Sequence, residues 1–200
     1  MPEATYSIDR DLEEAKAIAD HLIPYVYEDQ LYGSISGMFG SGNAPSLTIG
    51  ALLLRLHRLH ALEGQMNDAQ KAKLSAIDAQ NESARKEWTI HYNDKLVQEG
   101  NSRLKMIERY FSDCDDDPRT CANNYIPEAN RRTIVEDIAN ALTRYNEPNA
   151  DLSNAMRRID SKLRRYAQPS DFVWATALQA AYPNDEYWWL YARPPKVAAK

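Results

Sequence analysis

Apolar side chains recur every three or four positions along most of the chain. The first such stretch begins near Ser7 or Asp9 and places Leu12, Ile18 and Leu22 on one face. This spacing predicts an amphipathic helix, because an α-helix has 3.6 residues per turn. Pro24 is expected to kink or end that helix, since proline lacks the backbone N–H that the helix needs.

The same spacing returns after Pro45, where Ser46 is predicted to cap a helix that carries Leu52, Leu56 and Leu59. A further helix is expected to begin at Asn67 or Asp68 and to present apolar residues as far as Phe111. Two versions of this long element stay open. It either continues from Asp68 to Ser112, or breaks at Gly100, where glycine would act as a C-terminal cap.

Two more helices are predicted in the last third of the chain. Pro127 lies in the first turn of one, and the other carries Leu152, Met156, Ile159, Leu163 and Tyr166 at steps of four and three residues. A short turn at residues 146–149 would join them as an antiparallel hairpin. A final helix is expected over residues 170–182, capped by Ser170 or Asp171 and ended by Pro183.

Composition supports an all-α fold. The chain has 200 residues, with 26 alanines and 18 leucines against 5 valines, and alanine and leucine favour helices whereas valine favours strands. Residues 33–46 contain four of the seven glycines and four serines, which is typical of a flexible linker. We therefore predict an N-terminal helical arm and linker over residues 1–46, followed by a bundle of about five helices and an aromatic tail over residues 47–200.

Charge and cysteine content exclude few classes of protein. The 24 basic and 29 acidic side chains give a net charge of -5, which argues against a surface that binds phosphates everywhere. No apolar run reaches the length of a membrane span, and no secretion signal is recognisable, so a cytoplasmic location is expected. In that compartment Cys114 and Cys121 would be reduced thiols, whereas in an oxidising compartment they could close a small-loop disulfide. The carboxylates of residues 113–117 predict a solvated acidic loop.

The predicted function is that of a non-catalytic protein-interaction or scaffolding subunit without a cofactor, which binds a protein partner or a second copy of itself. Tryptophan and tyrosine dominate protein-binding hot spots. The tail supplies such side chains at Trp188, Trp189 and Tyr191, and the arm would present Leu12 and Leu22 to a groove on the partner. The alternative for the tail is that it folds back and seals the end of the bundle, since large aromatic rings are costly to leave in water.

Nucleic-acid binding is the first alternative. Positive side chains cluster on the two helices of the predicted hairpin, at Arg131, Arg132, Arg157, Arg158, Lys162, Arg164 and Arg165. Such a face can contact phosphates with a salt-sensitive affinity. Neutralisation by Asp160 and Glu136 is the competing explanation for these cations.

An enzyme is the second alternative. His57 and His60 share a helix face, and His91 would complete a metal-ligand set, although no metal site is predicted. The steps from Arg55 to His60 and from Arg85 to His91 resemble the arginine–histidine spacing of a family of dimeric helical ribonucleases. That resemblance implies that histidine transfers protons at a two-fold interface. Common nucleotide-binding, hydrolase and protease motifs are missing from the sequence.

Overall fold

The computed structural model describes residues 5–35 and 46–195, and within them the protein is an all-α helical bundle. Four pairs of residues form two very short antiparallel sheets. The α-helices are α1 Ile8–Asp20, α2 Leu22–Tyr27, α3 Ile49–Ala61, α4 Asp68–Glu87, α5 Thr89–Asp116, α6 Pro118–Asn123, α7 Tyr125–Arg144 and α8 Ala150–Tyr166. The strands are β1 Gly33–Ser34, β2 Ser46–Leu47, β3 Gln168–Pro169 and β4 Ala192–Arg193, and 3-10 helices cover Glu63–Gln65, Thr176–Ala181 and Trp188–Tyr191. None of the helices within the described ranges is long and apolar enough to cross a membrane.

Helix α1 is part of the bundle core. It begins after Ser7, one of the two starts that the sequence predicts, and the side chain of this N-cap residue accepts a hydrogen bond from the backbone of Arg10. Leu12, Ile18 and Leu22 are at most 1% exposed, and α1 packs against α3 and α4. The apolar face predicted for an arm outside the bundle is therefore covered by this chain itself.

The segment between α2 and α3 brings its two ends together. Ser34 pairs with Ser46 and Gly33 with Leu47, as β1 and β2. Residues 36–45 of the predicted 33–46 linker lie outside the described ranges. The N-cap of α3 is Thr48, whose hydroxyl oxygen accepts from the backbone N–H of Ala51. Ser46, predicted for that role, lies in β2 instead.

A buried ionic group joins the start of α3 to the middle of α5. Glu99 is 0% exposed, and its carboxylate accepts hydrogen bonds from the hydroxyl of Thr48 at 2.7 Å, the backbone N–H of Gly50 at 2.8 Å and the Nε of Arg103 at 2.8 Å. A negative charge is favourable at a helix N-terminus, where backbone N–H groups lack partners. Glu99 thus fixes α3 against α5.

The long apolar stretch divides at Trp88, and neither predicted version is correct. Asn67 and Gln70 form a capping box at the start of α4, and Trp88 separates α4 from α5. Gly100 lies inside α5, at a point that α8 approaches closely. A Cβ at this position would lie 3.0 Å from a methyl carbon of Leu152 in α8. The missing side chain serves helix packing rather than helix termination.

Helix α8 has the predicted apolar seam, and Leu152, Met156, Ile159 and Leu163 are buried. This seam packs chiefly against α5. Helix α8 also lies beside α7, as the predicted hairpin requires, because Arg132 of α7 pairs with Asp160 of α8. The 146–149 turn joins α7 to α8 as expected, with Asn146 at a φ of 57°. That left-handed conformation is one that asparagine tolerates better than most residues.

The predicted helix over residues 170–182 is wrong. Ser170 and Val173 donate their backbone N–H groups to Tyr191 and Leu190 instead of to a helix, and β3 pairs with β4. We call residues 168–195 the C-terminal segment. Its apolar side chains Val173, Leu178, Tyr182, Trp189 and Leu190 are 0–1% exposed, so this segment closes one side of the bundle. The predicted acidic loop is also helical, since α5 extends to Asp116 and Asp117 caps α6.

Candidate functional site

The exposed face of α8 carries four positive side chains, Arg157, Arg158, Lys162 and Arg165, which we call the α8 basic face. These side chains occupy two neighbouring rows of one helix and span nine residues, or about 12 Å over the eight steps of 1.5 Å between the first and the last. The surface between them is a shallow depression that also includes Asn154 and Ser161.

The cations of the α8 basic face are largely unneutralised. Among the described residues Arg157, Arg158 and Arg165 make no ion pair, and Lys162 lies 3.4 Å from the exposed carboxylate of Glu108. The carboxylates predicted to neutralise this face are engaged elsewhere: Arg132 binds Asp160 at 2.7 Å and Glu136 at 2.8 Å. Positive charge is therefore available on the outside of α8.

The other three predicted nucleic-acid contacts are engaged by other side chains of the protein. Arg132 is 3% exposed, and its guanidinium lies 4.0 Å from the ring centre of Trp189. Arg164 stacks on Trp188 at 3.8 Å, and Arg131 pairs with Glu128. Arg132 is consequently a structural residue, and its prediction as a phosphate contact is wrong for this conformation.

The aromatic tail folds back onto the bundle. Trp189 is 1% exposed, its indole N–H donates to the hydroxyl of Thr133 at 3.0 Å, and its backbone carbonyl accepts from the hydroxyl of Tyr125 at 2.6 Å. Trp188 and Tyr191 are half-buried. Trp189, like Leu12 in α1 and Leu22 in α2, therefore presents no surface to a partner in this conformation.

Exposed apolar surface lies elsewhere, where α2 meets the junction of α4 and α5. Ile23, Tyr27 and Ile90 are 43%, 51% and 74% exposed. The ring of Tyr27 lies 4.2 Å from that of Trp88 and 5.7 Å from that of His91. We call these five side chains the Tyr27 patch.

His57 is held at both ring nitrogens. Nδ1 lies 2.7 Å from Oδ1 of Asp137, and Nε2 lies 3.1 Å from the backbone carbonyl oxygen of Ala181. A carbonyl oxygen only accepts, so Nε2 carries a hydrogen, and burial raises the pKa of Asp137. Both ring nitrogens of His57 are thus engaged by groups of the protein. Neither nitrogen is positioned to take a proton from a substrate.

The histidines do not form a common site. His60 lies beside Asp78, at 3.1 Å, in a cleft that it shares with His57 between α3, α4 and α7, whereas His91 packs near Trp88 and Tyr27. Within the described ranges no group of three His, Cys, Asp or Glu residues is arranged to hold a metal ion. The structure thus gives the ribonuclease and metal-enzyme alternatives no assembled histidine centre among these residues.

Cys114 and Cys121 form a disulfide between α5 and α6, with their Cα atoms 4.7 Å apart. The expectation of two reduced thiols is therefore wrong for this structure. The hydroxyl of Tyr110 donates to the Cys121 carbonyl at 2.7 Å, which adds a second link between the same two helices.

Sequence reasoning missed the buried charged residues Glu99, Arg103 and Asp137, because their partners are distant along the chain. The only signal for them was a charged residue on an otherwise apolar helix face.

Comparisons of the chain with protein-family models, with curated proteins and with solved structures found no match.

Proposed function

We propose that this protein is a non-catalytic nucleic-acid-binding subunit that contacts the phosphate backbone through the α8 basic face. The observation that supports this function is the row of exposed, largely unpaired cations at Arg157, Arg158, Lys162 and Arg165. Phosphates of a nucleic acid are a regular array of negative charges, and each cation that contacts one releases a counterion. An excess of five negative charges over the whole chain confines such contacts to a local surface.

The mode of binding follows from the geometry of the face. Its cations lie on one straight helix with small polar side chains, Asn154 and Ser161, between them. No aromatic side chain is part of the depression, so stacking on splayed bases is not the source of affinity. We therefore propose contacts to phosphates without sequence specificity.

The test measures binding of a fluorescein-labelled 20-base-pair DNA duplex by fluorescence anisotropy at 50 and 200 mM salt. Four phosphate contacts predict a salt slope of about -3.6 and an affinity loss of about 150-fold between these concentrations. The triple variant Arg157→Gln, Arg158→Gln, Arg165→Gln retains one contact, so its affinity is expected to fall by only about 3.5-fold over the same range.

A matched control removes three cations from α4, as Lys71→Gln, Lys73→Gln, Lys86→Gln, and changes the net charge equally. This control is expected to retain the salt slope of the unmodified protein. An equal effect of both triple variants would show that overall charge rather than α8 governs binding, and would contradict the proposal. Equal or tighter binding to anionic lipid vesicles would also contradict it.

A protein-interaction or scaffolding subunit is the second candidate function, supported by the Tyr27 patch. Exposed apolar side chains that cluster on a folded surface are typical of protein interfaces, and Ile90 is 74% exposed. We propose self-association through this patch. Light scattering over a hundredfold concentration range is expected to show dimers that the Tyr27→Ser, Ile90→Ser variant cannot form, and a monomer throughout would contradict the candidate.

The cytoplasmic location also stays a proposal. Disulfides persist mainly in oxidising compartments, so the Cys114–Cys121 bond argues for a direct test. Rapid alkylation of thiols in intact cells, followed by mass spectrometry, is expected to label both cysteines if the protein resides in a reducing cytoplasm. A fully disulfide-bonded population would contradict the location.

A further inference from the structure

A cleft of about 730 Å³ lies between α3, α4 and α7, and Tyr187 of the C-terminal segment contributes to its lining. Helix α7 faces it with Asp137, Asn140 and Arg144, which recur at steps of three and four and therefore lie on one side of the helix. At 1.5 Å per residue this row gives the cleft a length of about 10 Å along α7. Small-molecule sites commonly have volumes of about 300–1,000 Å³.

Three side chains of the lining are almost fully buried and carry an unused polar group. Asn81 is 4%, Asp137 6% and Tyr187 4% exposed. Asn81 accepts a hydrogen bond from the Tyr92 hydroxyl at 2.8 Å through Oδ1, and its two amide N–H groups have no partner among the described residues. Asp137 uses Oδ1 for His57, whereas its Oδ2 is buried without a partner in the same part of the chain. The hydroxyl of Tyr187 also makes no hydrogen bond within the described ranges.

These groups lie toward opposite ends of the cleft. Asp137 and Tyr187 both adjoin His57, whose Nδ1 is 2.7 Å from Oδ1 of Asp137 and whose ring centre is 5.6 Å from that of Tyr187. Asn81 lies toward the other end, because its partner Tyr92 packs against Tyr145, at 6.3 Å between ring centres. An acceptor and a hydroxyl are thus available at one end, and amide donors at the other.

A buried polar group without a partner is destabilising, so a group that enters the cleft must supply the missing hydrogen bonds. A carboxylate oxygen only accepts and an amide N–H only donates, whereas a hydroxyl group does both. A molecule that carries several hydroxyl groups can therefore satisfy Asp137, Asn81 and Tyr187 together.

Charge does not select the ligand of this cleft, because its charged side chains pair mainly with one another. His60 lies 3.1 Å from Asp78, and Arg85 lies 3.0 Å from Glu82. The exposed Arg144 at the rim adds a donor, since a guanidinium carries five N–H groups. These pairs favour a neutral ligand.

The charges of a smaller cavity, of about 350 Å³, are engaged in the same way. It is lined by Arg55, Arg58 and Arg103. Arg55 donates to Glu14 at 3.0 Å and Arg103 to Glu99 at 2.8 Å, and Arg58 is also engaged by groups of the protein. Unused polar groups, rather than charge, therefore distinguish the cleft.

Stacking does not select the ligand either. Arg85 lies over the ring of Tyr145, 4.3 Å from its centre. Tyr187 packs edge-on against Tyr182 and Trp189, with ring centres 5.0 and 5.4 Å apart. The tyrosine rings of the lining are thus engaged by protein groups, which disfavours a planar ligand such as a nucleobase, because such ligands gain affinity by stacking.

We propose that this cleft binds a neutral sugar of one or two rings. Its hydroxyl groups donate to Asp137, accept from Asn81 and bond with Tyr187. Its carbon-bound hydrogens lie against Leu53 and Leu56, which form apolar parts of the lining. This site is separate from the α8 basic face and does not depend on nucleic-acid binding.

The test uses the histidine ring signals of the full chain in a ¹H–¹³C NMR spectrum during titration with sugars. His57 and His60 line the cleft, whereas His21 and His91 are not part of its lining. Glucose, galactose, mannose, maltose and lactose are the probes, and adenosine is the comparison ligand. At least one sugar is expected to shift the His57 and His60 signals saturably, with a Kd below about 10 mM and at least about tenfold tighter than adenosine.

Two outcomes of this titration would overturn the proposal. The first is that none of the five sugars shifts the His57 and His60 signals saturably. The second is that adenosine binds as tightly as the tightest sugar. The α8 triple variant is expected to bind the sugar as the unmodified protein does, and loss of sugar binding in that variant would also contradict a separate site.

Tyr187→Phe removes one unused hydroxyl and keeps the buried ring. It is expected to weaken binding of the tightest sugar about threefold to tenfold, the worth of one hydrogen bond. Tyr27→Phe is the matched control, because Tyr27 is 51% exposed and is not part of this lining. Tyr27→Phe is expected to leave the Kd unchanged.

Asn140→Ala is a second variant, at an exposed position of the rim where loss of the side chain leaves the core intact. It is expected to weaken the same sugar about threefold. Circular dichroism checks that the helices of each variant are intact, and Asn140→Ala keeps the test valid if Tyr187→Phe does not fold. Unchanged sugar affinity in every folded variant of the two would place the ligand elsewhere and overturn the assignment.

Discussion

Gly50 lies at the point where α3 meets α5, and a single methyl group there tests the account of the buried Glu99 group. An alanine Cβ at this position would lie 2.6 Å from Oε1 of Glu99 and 2.6 Å from a methyl carbon of Ile134. Glu99 has no freedom to retreat, because its carboxylate is bound by Thr48, Arg103 and the Gly50 backbone. Gly50→Ala must therefore either break part of this group or separate the two helices.

The cost of Gly50→Ala follows from three effects. Overpacking of a filled core costs about 1–3 kcal/mol, and loss of a hydrogen bond to a charged group costs about 1.5–3 kcal/mol. Alanine recovers about 0.5–1 kcal/mol because it restricts the unfolded chain more than glycine does. The expected net loss in the free energy of unfolding is about 2–5 kcal/mol, which is a large part of the total stability of a typical domain.

The assay is urea denaturation followed by circular dichroism at 222 nm, with thermal unfolding as a second measurement. A loss of about 3 kcal/mol is expected to lower Tm by about 6–12 °C for a chain of this length. Gly64→Ala is the control, since a Cβ at Gly64 meets no atom within 4 Å. A Gly50→Ala variant as stable as the Gly64→Ala variant would refute the reasoning about Glu99.

Three further predictions address other contacts. Reduction of the Cys114–Cys121 disulfide is expected to lower stability by about 2–2.5 kcal/mol for so short a loop, measured by urea denaturation with and without reductant; a Cys114→Ser, Cys121→Ser variant that still responds to reductant would contradict this. The hydrogen bond to Asp78 raises the pKa of His60, so the stabilisation from this pair is present below pH 6.5 and is lost as the pH rises through the folded-state pKa. His60→Gln should therefore lower the urea midpoint at pH 5.5, by an amount worth less than about 1 kcal/mol, and leave it unchanged at pH 8.5. The reverse order would contradict the assignment. Trp189→Ala is expected to lower the free energy of unfolding by about 3–5 kcal/mol because it empties a filled core position. A Tm within 3 °C of that of the unmodified protein, measured by differential scanning calorimetry, would show that the C-terminal segment is not part of the cooperative core.

Features that depend on neighbouring residues could be predicted from the sequence. Three local features are confirmed: the start of α1 near Ser7, the start of α4 at Asn67 and the seam from Leu152 to Leu163. Each involves residues within a few turns of one another. These local signals were sufficient to establish the all-α fold.

Features that depend on distant contacts could not be predicted in this way. Glycine is common where a helix ends, so Gly100 indicated a helix stop. The contact with Leu152, more than fifty residues later, instead gives this glycine a packing role within a continuous α5. The region after Ser170 has helical spacing, yet its backbone pairs with Tyr191 and Leu190. Tertiary contacts overrode local preference in both places.

The candidate site was predictable only in part. The cations of the α8 basic face lie close together along one helix and were identified from the sequence. That Arg157, Arg158 and Arg165 make no ion pair among the described residues depends on Arg132 having bound Asp160 and Glu136. The cavity lined by Arg55, Arg58 and Arg103 was not predicted at all. Its three cations belong to two helices, and a linear pattern carries no information about which faces of two helices meet.

The closing of the bundle by residues 168–195 has a consequence for biosynthesis. Translation proceeds from the N-terminus, so α1 through α8 emerge from the ribosome before Trp189 and Leu190, which complete their core. Until those side chains arrive, the nascent helices display an uncovered apolar surface of the kind that attracts chaperones and promotes aggregation. A premature stop codon after α8 would yield a protein that has α1 through α8 but lacks the segment that covers their apolar surface, so that surface would stay exposed.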